Sequence, residues 1–438
     1  MQKIKNWKTQ TKIYFIIVGI VALLNIIAWS SEPFCDWYIR YIFPIWVNTY
    51  GRLTGLFPFS VGEWLIVAGV FLVIAAVILM IVSAFRWIVR RCRARHVDKK
   101  DECSRAPQVD KQDECSRVRH VDKQDACSRV PQVDKQDECS SASHVTRPSV
   151  PRERGRFDKF CCGFYTFFAW VLLAVLVLMT LNCTILYHAT PFSEKYFTAE
   201  KGTYTLQDLT ALRNMLVEKC NELSGQMQRT EDGEIIYEGN MGKKAISDMQ
   251  ALGETYDALQ GFYPMPKPLY FSDFVSQQYM LGYYFPFSME ANYNDVAYVT
   301  NLPATMCHEL AHLKGYIQED EANFIGFLAC ISSDDLLFQY SGYLSVLNYV
   351  NNDFYEAIGE DYERYMAEVQ INRQVYEDAV FVRKEDWDRI EKEAVVDTEV
   401  VDAVSTGFVE TSLKLNGVDD GMVAYSRVVG LLLQWYCQ

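Results

Sequence analysis

Hydrophobic residues along the 438-residue chain are concentrated in three long runs without Asp, Glu, Lys or Arg, at residues 13–31, 64–85 and 160–187. A helix needs about 20 apolar residues to cross the hydrocarbon core of a bilayer. The pattern therefore predicts three transmembrane helices. A cleaved signal peptide is disfavoured, because the first run is long and no small-x-small cleavage site follows it.

The segment between the first two runs, residues 32–63, is rich in Trp, Tyr, Phe and Pro. Aromatic residues are enriched at membrane–water interfaces, so one interpretation places this extracytoplasmic segment in the headgroup region. Packing of the same aromatic residues against a neighbouring domain explains the composition equally well. The sequence leaves both interpretations open.

Apolar residues recur with helical spacing over most of residues 188–438. At 279–300, aromatic and β-branched residues flank the turn-forming stretch SMEANYND, which predicts two short strands or a hairpin. The chain from 324 onward is predicted to be helical, with one long acidic helix at about 385–412 and a buried helix at 426–437 that is too short to span a bilayer. The expected domain is mainly α, with a small sheet.

A twelve-residue repeat, of which VDKQDECSRVRH is one copy, occupies residues 97–144 in the second interhelical loop. Each copy is charged and has too little apolar content to bury a core, so the repeat is interpreted as a disordered linker. Metal binding or redox sensing by its cysteines is the alternative, but single Cys residues twelve apart lack the C-x-x-C chelate of zinc sites. The repeat cysteines are Cys103, Cys115, Cys127 and Cys139.

The thirteen cysteines do not form a disulfide framework, because four belong to the repeat and the others show no paired spacing. We therefore infer no bridges. A small buried hydrophobic side chain is a sufficient role for each cysteine of the last 250 residues. These are Cys220, Cys307, Cys330 and Cys437.

Charge is distributed unevenly along the chain. Residues 1–188 carry 25 Lys and Arg against 16 Asp and Glu, a net +9, whereas residues 189–438 carry 17 against 40, a net −23. The basic residues near the spans lie mainly in the N-terminal segment 1–12 and in the loop 86–159, and such residues mark the cytoplasmic side. The acidic domain at 188–438 is then extracytoplasmic, and its charge disfavours nucleic acid as a partner.

The candidate chemistry lies in ATMCHELAHLKGYIQEDEANFIGFLAC, residues 304–330. His308 and His312 are four residues apart, so on a helix their imidazoles lie on one face and can bind a single metal ion. Glu309 is then positioned as the general base of an H-E-x-x-H zinc hydrolase. Gly315 is a natural end for this helix.

A catalytic zinc ion requires three protein ligands and one open position. The third ligand is not expected to be a histidine, because residue 318 is Gln and the other histidine of the outer domain, His188, lies at the membrane edge. Glu319 and Glu321 are both within reach, but two positions apart on a helix they point about 200° apart. Glu319 is favoured because its helix face carries small or polar residues. One of them, Asn323, is expected to hold a ligating histidine through its other ring nitrogen.

Two family resemblances rest on these motifs. H-E-x-x-H followed by E-x-x-A-N is similar to the gluzincin arrangement of membrane zinc peptidases, in which E-x-x-A-D supplies the third ligand and a supporting Asp, a position where this chain has Asn323. YYFPFSMEANYN, CHELAHLKGY, EDEANFIGFLAC and LKLNGVDDG also resemble an uncharacterised bacterial family of three-span membrane proteins suspected to be zinc peptidases. That resemblance extends over the chain apart from the repeat, and implies a zincin-like domain.

The resulting hypothesis is a zinc metallopeptidase with one Zn²⁺ per chain, anchored in the cytoplasmic membrane of a bacterium with its N-terminus inside. It would hydrolyse peptide or protein substrates at the outer face of that membrane. His308, His312 and Glu319 would bind the metal. Tyr340 and Tyr343 are candidate oxyanion stabilisers only because they are phenols a few turns beyond the ligand helix.

The alternative is a non-catalytic membrane sensor or scaffold whose metal site is structural or lost. Three protein ligands and an open position favour the enzyme, whereas a fourth ligand such as Cys307, Asp320 or Glu321 favours the scaffold. Cys307 lies about 100° round the helix from His308, which disfavours it as a ligand. Substrate preference and oligomeric state have no recognisable signature in the sequence.

Overall fold

The structure is a computed structural model that describes residues 2–103, 155–197, 204–415 and 427–437. It is mostly helical and contains a small three-stranded sheet. The chain forms two compact units, one made of Met1–Leu72 and Phe168–Gln438 and the other of Val73–Phe167. Most of the twelve-residue repeat lies outside the described residues.

The helices up to the sheet are α1 (Gln2–Ser30), α2 (Glu32–Tyr41), α3 (Phe43–Trp46), α4 (Arg52–Thr54), α5 (Val61–Cys103), α6 (Arg156–Met179), α7 (Ile185–Tyr187), α8 (Phe192–Tyr196), α9 (Leu206–Ser224) and α10 (Met241–Thr255). Single π-helical turns at Val47–Gly51 and Thr180–Thr184 join α3 to α4 and α6 to α7. The later helices are α11 (Ser272–Ser276), α12 (Leu302–His312), α13 (Glu319–Ile331), α14 (Leu336–Ala357), α15 (Tyr362–Ala367), α16 (Arg373–Asp378), α17 (Lys384–Glu393), α18 (Thr398–Leu415) and α19 (Arg427–Tyr436).

Three helical segments are long and apolar enough to cross a membrane, namely Thr9–Ser30, Val61–Cys92 and Arg156–Tyr187. They confirm the three predicted apolar spans, and each begins three or four residues earlier than predicted. Large apolar side chains on them are exposed, for example Phe15 and Phe71 at 65% and 67%. Because exposed apolar surface of this extent is satisfied by lipid, the chain is a membrane protein.

The unit Val73–Phe167 contains the adjoining parts of α5 and α6, which run antiparallel. Tyr165 donates a hydrogen bond to the carbonyl of Ala76 at 2.9 Å. Further along the same pair of helices, Arg90 forms an ion pair with Asp158 at 3.2 Å. These contacts join the two helices at both ends of the unit.

Residues 31–60, which we call the interspan segment, are mostly helical. Helices α2 and α3 bury Cys35, Tyr38 and Phe43 in the main hydrophobic core. This packing agrees with the second interpretation of the segment. Its opposite face remains exposed and apolar.

The core of the main unit is built by α9, α12, α13, α14 and α19, which pack on one another. Helix α19 confirms the predicted buried C-terminal helix, since Val428 and Leu432 are fully buried. The prediction of one long acidic helix is wrong, because α17 and α18 are separate helices. Residues 394–397 between them are not helical.

Side-chain caps define where two of these helices begin. Thr205 and Asp208 form a capping box at the start of α9, in which each side chain accepts the other's backbone N–H. The carboxylate of Asp335 accepts the N–H groups of Leu337 and Phe338 at the start of α14. The two capped helices then pack against each other in the core.

The sheet consists of β1 (Lys267–Pro268), β2 (Gly282–Phe285) and β3 (Glu290–Tyr293) in the order β1-β3-β2. Strands β2 and β3 pair antiparallel and confirm the predicted hairpin. Strand β1 pairs parallel with β3. It was not predicted, because the surrounding PMPKP sequence has the prolines expected of a loop.

A buried ion pair joins this sheet to the beginning of α5. The ammonium of Lys267 donates to Glu290 at 2.6 Å and to the carbonyls of Thr54 and Phe59 at 2.7 and 3.0 Å. Glu290 also accepts the backbone N–H of Gly62 at 2.7 Å. All three ammonium protons are thus used, which compensates the cost of burying the charge.

The first prediction concerns this pair. Glu290→Gln leaves the Lys267 charge buried without its counter-ion, and should destabilise the protein by about 3 kcal/mol. Thermal unfolding of the full chain in detergent measures the loss. In the matched control, Glu222→Gln at the exposed pair with Lys219, the change should stay within about 0.5 kcal/mol. Equal effects of the two substitutions would contradict the prediction.

Candidate metal centre

Helix α12 presents His308, Glu309 and His312 towards the interior of the domain. Pro303 lies in its first turn, a position where a missing N–H costs nothing. The two imidazole rings lie one turn apart with centroids 4.6 Å from each other. The chain then turns at Gly315, whose φ of +95° favours glycine.

Helix α13 begins at Glu319 and folds back along α12. One carboxylate oxygen of Glu319 lies 3.1 Å from Nε2 of His308, and the other lies 3.9 Å from Nε2 of His312. One ligand atom from each of the three residues lies within 4.8 Å of the others. The three side chains that the sequence singled out as metal ligands therefore meet at one point, which is consistent with cation binding.

The close approach of the two helices depends on Gly326. A Cβ at this position would lie 3.2 Å from the carbonyl oxygen of Ala304 and from the backbone nitrogen of His308. A larger residue would therefore displace α13 from α12 by a few tenths of an ångström. The close approach at Gly326 supports the position of Glu319, which lies about two turns earlier in α13.

Each ring is also held by its other nitrogen. Nδ1 of His312 donates to the carbonyl of Tyr316 at 2.7 Å, and Nδ1 of His308 donates to Oδ1 of Asn323 at 2.8 Å. These bonds orient both Nε2 atoms towards Glu319. Asn323 thus occupies the position expected for a residue that fixes a ligating histidine.

Glu309 lies beside this cluster and is 4% exposed. Its Oε2 atom is buried without a hydrogen-bond partner among the described residues. Its Oε1 atom lies 2.5 Å from where a Cβ would stand on Gly282 of β2, so a side chain at that position would displace the carboxylate. Burial raises the pKa of Glu309 to about 8.

The charges of the cluster are coupled. Burial alone would lower the pKa of His308, but its hydrogen bond to Glu319 outweighs that effect and raises the pKa to about 9. Burial, together with the charge on His308, lowers the pKa of His312 to about 4. Burial opposes ionisation of Glu319, yet the bond from His308 leaves its pKa below the ordinary value. The proton on His308 Nε2 thus lies where a cation would bind.

Glu321 faces away from the cluster, as expected from helical geometry. Its carboxylate accepts the backbone N–H of Ser193 at 2.9 Å and the hydroxyl of the same residue at 2.5 Å. Burial raises the pKa of Glu321 to about 7. Glu321 therefore joins α13 to α8 and takes no part in the ligand group.

The two phenols suggested as oxyanion stabilisers are engaged elsewhere. The Tyr340 hydroxyl is buried and donates to Asp378 at 2.8 Å. The ring of Tyr343 packs edge-on against Phe327 with centroids 5.9 Å apart. Neither contact involves the ligand cluster, so sequence proximity was a poor guide to these positions.

Other aromatic residues lie at the cluster and were missed. The ring of Tyr284 packs 5.8 Å from that of His312. Burial raises the pKa of Tyr349, to which Glu319 contributes. Tyr283 alternates to the other face of β2, where its ring stacks on Phe285 and its hydroxyl donates to Gln278 at 2.8 Å. Alternation along the strand GYYF was the signal that could have placed Tyr284 on the cluster side.

Residues 144–433 match the family described as Protein of unknown function (DUF3810). The chain belongs to this family. The match includes the third span and the domain with the ligand cluster, whereas the first two spans lie outside it. The resemblance inferred from the motifs had extended to those spans as well.

No curated protein matches the DUF3810 chain. No solved structure matches it either. The zincin-like architecture implied by the motifs therefore stays a prediction, and the metal and the reaction have to be argued from the site itself.

The second prediction separates the two acidic residues of α13. Glu319→Ala should weaken binding of Co²⁺ or Zn²⁺ by at least about 100-fold, because it removes one of three ligands. The matched Glu321→Ala should leave the affinity within a few-fold of the parent. Chelator competition with the full chain in detergent measures both. Weaker binding in Glu321→Ala than in Glu319→Ala would overturn the ligand assignment.

The third prediction concerns pH. A cation must displace the His308 proton, whose pKa is raised to about 9. Below that pH, the apparent dissociation constant of the cation should therefore fall about tenfold for each unit by which the pH rises. Titrations with Co²⁺ at pH 6, 7 and 8 measure this slope. Glu321→Gln is the control and should show the same slope. An affinity that does not change with pH would contradict the assignment of His308 as a ligand.

Proposed function

We propose that this DUF3810 protein is a zinc-dependent peptidase anchored in the membrane by its three apolar helices. The observation that carries the proposal is that the Nε2 atoms of His308 and His312 meet the carboxylate of Glu319. Beside them lies a second carboxylate, Glu309, with one oxygen that has no hydrogen-bond partner among the described residues. The H-E-x-x-H helix α12 supplies two ligands and the base, and α13 supplies the third ligand. The proposed active domain lies outside the cytoplasmic membrane of a bacterium, as the distribution of basic residues favours.

The donor set fits zinc. His308, His312 and Glu319 would hold the ion, and two imidazoles with one carboxylate are a common set for catalytic zinc. Ligand atoms at about 2.1 Å from a tetrahedral ion lie about 3.4 Å from one another. The separations of 3.1 and 3.9 Å between the Nε2 atoms and the Glu319 oxygens bracket that value. A bound zinc ion would supply Lewis-acid activation of water and of the scissile carbonyl.

Glu309 is the proposed proton carrier. Its free oxygen can accept a proton from the attacking water and deliver it to the amine that leaves. A pKa raised to about 8 by burial is suited to such a transfer near neutral pH, and positive charge at the cluster would favour the ionised base. Gly282 leaves the space that this carboxylate needs.

The free edge of β2 can position a peptide next to Glu309. The N–H of Asn294 donates to the carbonyl of Leu281 at 2.7 Å, which sets the alternation of the antiparallel ladder. Gly282 and Tyr284 then direct their backbone groups away from β3, towards the edge. An extended substrate can pair there as an added strand.

The alternative of a structural metal site receives less support. Among the described residues, the candidate group consists of His308, His312 and Glu319, without a fourth His, Cys, Asp or Glu. Cys307 points elsewhere, since the thiol of Cys330 donates to its sulfur at 3.8 Å. Three ligands leave a position for water, which favours catalysis.

The fourth prediction tests the proposed reaction. The full chain purified in detergent should bind about one zinc ion and cleave peptides from a mixed library. Glu309→Gln should keep the metal and lose activity by about 10²- to 10⁴-fold, because it removes the base without removing a ligand. Mass spectrometry of the products and zinc analysis measure the two effects.

The matched control is Glu321→Gln, which changes a buried glutamate of α13 away from the cluster and should retain cleavage. Activity that survives Glu309→Gln would remove Glu309 as the base. A parent protein that binds no zinc would overturn the peptidase proposal.

A further inference from the structure

Strand β2 connects the ligand cluster to the ends of two membrane spans. At one end, Gly282 lies against Glu309. At the other end, the ring of Phe285 lies 2.4 Å from where a Cβ would stand on Gly62, in the first turn of the second span. The carbonyl of Pro286, the next residue, accepts a hydrogen bond from Asn182 of the third span at 2.9 Å.

The third span also contacts the parts of the domain that carry the ligands. The Tyr284 hydroxyl donates to the carbonyl of Asn182 at 3.3 Å, while its ring packs on His312. The side chain of Gln318, directly before Glu319, donates to the carbonyl of Tyr187 at 3.3 Å. A single side chain therefore separates a ligand from the end of a span.

The interspan segment also contacts the β2–β3 hairpin. Thr54 donates to the carbonyl of Ser288 in the β2–β3 turn at 3.0 Å, which fixes the segment to the far end of β2. The outward face of the segment exposes large apolar side chains, as expected at a membrane–water interface. Among the most exposed are Tyr41, Ile45, Leu53 and Leu56.

The bilayer surface follows from the spans themselves. The first apolar helix ends at Ser30 and the second begins at Val61, while the last turn of the third, with Ile185 and Leu186, is buried in the core of the domain. Trp29 and Trp64 at two of these ends are about half exposed, as aromatic residues of the interface are. The interspan segment joins these two helix ends, so lipid is the partner expected for its exposed apolar side chains.

We infer that the substrates of the site are polypeptides that are themselves anchored in the membrane, cleaved close to the bilayer. The inference rests on the proposed peptidase function and specifies its substrate class. A strand paired along β2 leads from Glu309 to the span ends over three residue steps, about 10 Å. The scissile bond would then lie only a few residues from the membrane anchor of the substrate. Anchoring in the same membrane would also raise the effective concentration of the substrate.

The test uses the zinc-loaded full chain in proteoliposomes. Reporters carry a randomised ten-residue segment joined to a single transmembrane helix by a spacer of three or thirty residues, and a third set lacks the helix. Mass spectrometry of released fragments measures cleavage. We expect the short-spacer set to be cleaved at least about tenfold faster than the other two.

A second measurement tests the geometry without relying on activity. Leu56 and Tyr362 are similarly exposed, at 77% and 67%, but Tyr362 belongs to α15 and not to the interspan segment. Each is replaced in turn by the photo-cross-linking residue p-benzoylphenylalanine. Cross-links to lipid are expected from position 56 and not from position 362.

The outcomes separate the two proposals. Equal cleavage of anchored and soluble reporters, or faster cleavage with the long spacer, overturns the inference and leaves the peptidase function standing. Equal lipid cross-linking at the two positions also overturns it. If no reporter is cleaved, the peptidase proposal fails and this inference fails with it.

Discussion

The ligand cluster depends on one steric constraint, the contact between α12 and α13 at Gly326. Two helices normally pack 8–10 Å apart because side chains separate them, and a glycine at the contact reduces that distance. Here the hydrogen that replaces a side chain permits the backbone of α13 to lie against Ala304 and His308. This contact supports the position of Glu319, about two turns earlier in α13, from which its carboxylate reaches both imidazoles.

The cluster is costly to bury, and its partners show how the fold compensates. Asn323 and the carbonyl of Tyr316 satisfy one nitrogen of each histidine, and Glu319 faces the other two. Glu309 is different, because one of its oxygens has no hydrogen-bond partner among the described residues. An unsatisfied buried polar group destabilises a fold by about 1–3 kcal/mol. A carboxylate with a purely structural role would not be kept at this cost, so the unpaired oxygen of Glu309 favours a functional role.

Much of this arrangement could be predicted because it depends on local periodicity. The spans and the hairpin follow from the periodicity of apolar residues, and the two ligating histidines follow from their i, i+4 spacing. The angle per helical residue separates Glu319 from Glu321, and the small or polar residues on its helix face favour Glu319. Tyr340 shows the limit. Its distance along the chain from the ligand helix carried no information about its partner Asp378, which lies 38 residues further on.

The features that could not be predicted are contacts between segments far apart in sequence. Lys267 and Glu290 lie in strands whose bounds the alternation of residue types predicts only approximately. Their bonds to each other and to residues 54–62 join segments that are far apart in sequence, so neither segment alone reveals them. These contacts have a functional consequence. Because Glu290 accepts the N–H of Gly62 and β2 pairs with the strand that carries Glu290, the sheet beside Glu309 is fixed relative to the first turn of the second apolar helix. A domain on a flexible tether would have no fixed position relative to that helix, whereas these bonds hold the ligand cluster at one distance from its first turn.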